Sequence, residues 1–151
     1  MTNLNYLDLQ TFVRSKIPDA VVAKKATSIA LGIVISRMLP LPSTEAESGE
    51  AHYSFSVHAS AAEMVSAFNE NILIDINLAL DTARSHWMIR YANTYPNLNL
   101  PLISIGEHDF LVKLTGACRF INEDTHCFCE KYSELMIVMV NRINRVLKIQ
   151  A

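Results

Sequence analysis

The sequence predicts a mainly α protein, an irregular bundle of four to five helices, and three observations lead there. Apolar residues recur at helical spacing in most segments, cap and breaker residues bracket those segments, and only two short stretches show the alternation of a strand. At 151 residues the chain is long enough for one core without disulfides or a metal. Positions 1–151 are therefore read as a single helical domain, with a surface loop at about 40–50 where Pro, Ser, Thr, Gly and Glu cluster.

Leu4, Leu7, Phe12 and Val13 mark a short first helix. Pro18 and Asp19 suit the first turn of a second, where a missing N–H costs little and an acid meets the positive end of the dipole. That helix runs to about Leu39. Ile29, Ala30, Leu31, Ile33, Val34 and Ile35 cover every side of it at ~100° per residue, the pattern of a helix enclosed all round, so it is placed centrally. Pro40 and Pro42 stop it. Tyr53, Phe55 and Val57 then alternate with Ser54 and Ser56, and Leu102, Ile103 and Ile105 supply the other strand candidate, so a minor two-stranded ribbon is expected at about 52–58 and 102–105.

Ser60-Ala61-Ala62-Glu63 reads as a capping box that starts a long helix ending near Tyr91. Its core stripe is Val65, Phe68, Ile72, Ile76, Ala79, Leu80, Ala83 and Trp87. A second apolar set, Ile74, Leu78, Met88 and Ile89, falls roughly opposite. Asn93, Pro96, Asn97 and Pro101 end the element. A shorter helix from about Glu107 to Ile121 has Phe110, Leu111, Leu114, Ala117, Cys118 and Ile121 on one face. Asp124 or Thr125 caps the final helix, which continues to about Ile149 and contains the uninterrupted apolar run Leu135 to Val140. Six apolar residues in a row cannot all face one core.

Thirteen Lys and Arg against fifteen Asp and Glu leave a net charge of −2, so the chain lacks the overall basic field of a nonspecific nucleic-acid binder. Half of the residues are apolar and only 19% are charged. Two helices carry more apolar surface than one bundle interior takes, which points to protein–protein contact, either a homo-oligomer or docking in a larger protein complex. Ile74, Leu78, Met88, Ile89, Ile137, Val138 and Val140 are the expected interface residues. The rival is a well-packed monomer with scattered exposed apolar side chains. No membrane association is expected, because the longest apolar stretch, Ile29–Ile35, falls far short of the ~20 residues of a spanning helix, and Met1–Lys16 has no signal-peptide run. Cys118, Cys127 and Cys129 form an odd set that fits reduced thiols, hence the cytoplasm of a cell or of a host occupied by a virus or plasmid.

No motif specifies a reaction. Cys118, Glu123, His126, Cys127 and Cys129 hold zinc-type donors, but no Cys-x2-Cys pair occurs, so no metal is expected. Glu123-x-x-His126 is one copy of a pair that a carboxylate-bridged di-iron bundle needs twice. Gly32, Gly49, Gly106 and Gly116 stand too far apart to cradle a phosphate, no Gly-x-Ser-x-Gly elbow is present, and no cofactor is expected. Arg119 and His126, six residues apart, resemble the Arg-x4–6-His signature of HEPN-type ribonucleases, small helical proteins of toxin and antiviral systems. The resemblance implies a metal-independent endoribonuclease in which a dimer sets His126 to move a proton and Arg119 to bind phosphate. Phe120 departs from the polar residue usual there. Arg84 and Arg90 beside Trp87 and Tyr91, with Arg142, Arg145 and Lys148 in the last helix, are candidate nucleic-acid contacts, although cations at a helix C-terminus also complement its dipole. The expected function is thus a non-enzymatic helical protein acting as a self-assembling unit, small subunit, adaptor or inhibitor. The alternatives are the HEPN-like ribonuclease and a helical subunit of a nucleoprotein complex.

Overall fold

A computed structural model describes residues 2–39, 58–94 and 131–150. Among them are five helices: α1 (Thr2–Lys16), α2 (Ala20–Met38), α3 (His58–Asn71), α4 (Ile76–Thr94) and α5 (Ser133–Gln150). The mainly α irregular bundle is therefore as the sequence predicts. Residues 52–57 and 102–105, the helix expected at 107–121 and the caps Asp124 and Thr125 lie outside the described residues. His58, given to the ribbon by its alternation, is the first residue of α3.

Asp19 caps α2 from an extended backbone, and its carboxylate accepts from Val21 N at 2.9 Å and Val22 N at 3.0 Å. Pro18 thus stands just before the cap rather than in the first turn, and its carbonyl accepts from Arg14. At the other end Leu39 is extended, as the residue before a proline must be. Between these ends α2 is enclosed: every residue from Ala26 to Ser36 is buried. Three of them are hydroxyl residues, and each bonds within its own helix. Thr27 donates to Ala23 O at 2.9 Å, Ser28 to Lys24 O at 2.7 Å and Ser36 to Ile33 O at 2.7 Å. A central helix with polar side chains can therefore sit in a dry core.

The structure corrects the single helix expected over 60–91. The chain breaks between α3 and α4 at Ile72–Asp75, where Asp75 Oδ1 accepts from Leu78 N at 3.1 Å and so caps α4. Asp75 N in turn donates to Ser28 Oγ at 2.8 Å, which ties the start of α4 to the side of α2. The apolar stripe runs straight through this break, and periodicity alone does not reveal it.

α2 packs most extensively on α4 and next on α5, while α1 packs chiefly on α5. Ser28 meets Asp75, Gly32 meets Ala79 and Thr82, and Ser36 meets Arg90, so α2 and α4 run in the same direction. At their crossing a Cβ on Gly32 would lie 2.5 Å from Ala79 O and 2.6 Å from Thr82 Cβ. The two backbones touch only because residue 32 has no side chain. One continuous buried cluster draws on all five helices, with Trp87, Tyr6, Tyr91 and Phe68 its largest members. Tyr6 meets Phe68 edge-on at 5.0 Å and 78°, and Trp87 stacks on Tyr91 at 5.3 Å and 18°. On α1 the buried face is Tyr6, Leu9, Val13 and Ile17, and Leu7, one of the residues that mark this helix in the sequence, is exposed.

Gly32→Ala tests the crossing. It should destabilise the protein by about 1–3 kcal/mol in urea unfolding, as overpacking does. Adding Thr82→Ala should not rescue it, because the nearest obstacles, the Ala79 carbonyl and the Cβ of residue 82, remain.

Candidate interaction surface

α5 is strongly amphipathic. Met136, Met139, Val140, Ile143, Val146 and Leu147 are buried, and Ser133, Glu134, Asn141 and Arg145 are exposed. Two apolar residues break the polar side: Ile137 is 63% exposed and Val138 41%. The expectation that the run Leu135 to Val140 could not all be hidden is met at these two positions.

The other expected interface residues divide. Ile74 (4% exposed), Met88 (2%) and Val140 (4%) belong to the chain's own core and are not available to a partner. Met88 is buried because α4 buries a broad arc rather than one stripe, with Leu80, Ala83, Trp87, Met88 and Tyr91 all inside, while Ile74 packs inward from the turn before α4 and Val140 lies on the buried face of α5. Leu78 is partly buried against the same core. Ile89 is half-buried and lines a groove of about 470 Å³ between the C-terminal halves of α2 and α4 and the first half of α5.

That groove is floored by Ile33, Ile89, Met136 and Val140, and Ile137 stands on its rim. Arg37, His86 and Arg90 are its ionisable residues, and no carboxylate lines it among the described residues. Arg90 is held in place: its guanidinium donates to Ser36 O at 2.8 Å and to Leu39 O, satisfying carbonyls at the end of α2. Burial pulls its pKa below the ordinary value, yet a guanidinium remains a cation at any physiological pH. Burial first, and then the nearby charge of Arg37, hold His86 below its ordinary 6.5. The imidazole in the groove is therefore neutral at pH 7.

Three of the candidate nucleic-acid contacts are engaged within the fold. Arg84 pairs with Asp81 at 2.9 Å, and Arg90 is committed to the α2 carbonyls. The Arg142 guanidinium lies 3.9 Å from the centroid of Phe12, and its buried Nε has no hydrogen-bond partner among the described residues. Arg145 is exposed, and the side chain of Lys148 lies outside the described set. Trp87 and Tyr91 are buried and present no face to a base. Arg119 and His126, the ribonuclease pair, lie outside the described residues, as do Cys118, Glu123, Cys127 and Cys129. Among the described residues no helix is long and apolar enough to cross a membrane, and no group of three or more His, Cys, Asp or Glu is placed to hold a metal. No family model matches the chain, and neither a curated protein nor a solved structure matches it.

Two predictions follow from the groove. Replacing Arg90 by Met strips the last carbonyls of α2 of a charged donor, and should lower stability by about 1.5–3 kcal/mol in urea unfolding. His86 gives a pH dependence. The unfolded chain binds more protons than the folded one below the ordinary imidazole value, so this contribution is complete above pH 6.5 and is lost as pH falls through the depressed folded value. Unfolding at a series of pH values should show His86→Gln losing less stability than wild type on acidification from pH 7. Arg37→Gln should raise the imidazole pKa read by NMR.

Proposed function

We propose that this chain works by protein–protein contact, as a self-assembling unit or as a small subunit, adaptor or inhibitor docked on a larger machine, without chemistry of its own. The observation that carries the proposal is the exposed pair Ile137 and Val138 beside the apolar groove. Single exposed apolar residues are ordinary. An exposed pair that continues into a concave apolar surface is what an interface core offers. The contact face is narrower than the sequence indicates, because Ile74 in the turn before α4, Met88 on α4 and Val140 on α5 are buried in the chain's own core, which leaves Ile137, Val138 and the groove. A cytoplasmic setting suits this role and the odd set of thiols.

Ile137→Asp combined with Val138→Asp tests it. Both positions are exposed, so the variant should keep its helicity by circular dichroism and unfold within a few tenths of a kcal/mol of wild type, as surface substitutions do. It should lose association seen by light scattering and co-purification. A variant that unfolds, or one that associates as wild type does, would defeat the proposal.

A further inference from the structure

The contact reading leaves the partner open, and the outward strip of α5 supplies an argument for one. At 3.6 residues per turn, Glu134, Val138, Asn141 and Arg145 fall within an arc of about 60° on the exposed side of the helix, with Ile137 at its groove edge. The strip has an acid at one end, a base at the other, and Val138 and Asn141 between them. Laid against an identical strip in the opposite direction, it is complementary to itself.

We infer that a second copy of this chain occupies this face, the two α5 helices pairing antiparallel about a two-fold axis level with the Met139–Val140 peptide. This rests on the contact reading. In that register Glu134 of each copy faces Arg145 of the other, and Val138 faces Asn141. The two Ile137 side chains come to the same edge of the seam, above the grooves. A parallel pairing would instead set Glu134 against Glu134 and Arg145 against Arg145, which like-charge repulsion disfavours. Neither Glu134 nor Arg145 has an ion-pair partner among the described residues, so both are free to reach across. Arg142, the cation nearest the other edge, is drawn back over Phe12 and does not crowd the seam.

An isologous contact of this kind closes at two copies. The strip spans about 17 Å at 1.5 Å per residue, well short of a standard interface, so the dimer is a reversible one with micromolar dissociation. Charge pairs at an open seam contribute little stability individually, but exchanging their signs still discriminates the register.

Sedimentation equilibrium of the full chain reads this directly. Wild type should dimerise in the micromolar range. Glu134→Arg and Arg145→Glu should each raise the dissociation constant roughly tenfold, since either one sets two like-charge pairs across the seam. The double variant carrying both should return to within about threefold of wild type, because the pairs are restored with their signs exchanged. Circular dichroism checks that all three variants are folded. Wild type that stays monomeric throughout the micromolar range, or a double variant no better than the singles, overturns the inference. A monomer that still binds another protein through Ile137 and Val138 also overturns it while leaving the contact role standing.

Discussion

The whole arrangement hangs on the approach of two parallel helices with nothing between their backbones. Gly32 of α2 lies against the Ala79 carbonyl and Thr82 of α4, at a separation that even a methyl group would violate. Polar bonds flank the approach on either side. Below it Ser28 receives the amide of Asp75, and above it Arg90 reaches back to the carbonyls of Ser36 and Leu39. These contacts set the separation of the helices and their relative slide. They also shape the groove, since the same Arg90 that closes the end of α2 forms part of the groove wall while α5 supplies the facing side.

Features governed by one helix at a time were legible in the sequence. The residues Ile29 to Ile35 are apolar on every side, and α2 is buried on every side. The six-residue run in α5 has to turn some members outward at ~100° per residue, and Ile137 and Val138 are the ones that emerge. Features governed by two distant segments were not legible. Asp75 is a good cap by residue type, but the apolar stripe runs on through it, and the bond that anchors it comes from its amide to the hydroxyl of Ser28, 47 positions earlier in the chain. The α3–α4 break follows, and α4 buries Met88 as well as Trp87, which withdraws Met88 from the expected interface. Leu7 shows the same limit: choosing between Tyr6 and Leu7 for the face of α1 needs Phe68, which lies in another helix.

The cations tell a related story. Read along the sequence, Arg84 and Arg90 sit beside Trp87 and Tyr91, and Arg142 stands with Arg145 and Lys148 near the end of the last helix, two groups of candidate nucleic-acid contacts. In the structure Arg84, Arg90 and Arg142 serve the fold, one on Asp81, one on helix-end carbonyls and one over Phe12. Arg37 is different, exposed on the groove and near enough to depress the His86 pKa.

Ile137 and Val138 contribute little to the buried core of the described residues. α5 already buries Met136, Met139, Val140, Ile143, Val146 and Leu147, enough to hold it on α1 and α2. β-branched residues on the exposed side of a helix are slightly worse helix formers than Lys, Glu or Gln, by roughly a few tenths of a kcal/mol each. Polar residues there would serve the isolated fold at least as well and would lower the tendency to associate. Val21 and Leu73, also exposed, sit singly beside a cap and in an interhelix turn. The α5 pair instead lies between an acid and a base on one helix, at the edge of the groove that the α2–α4 crossing sets. Under the proposed contact role, burying that combination against a partner is what lowers the free energy.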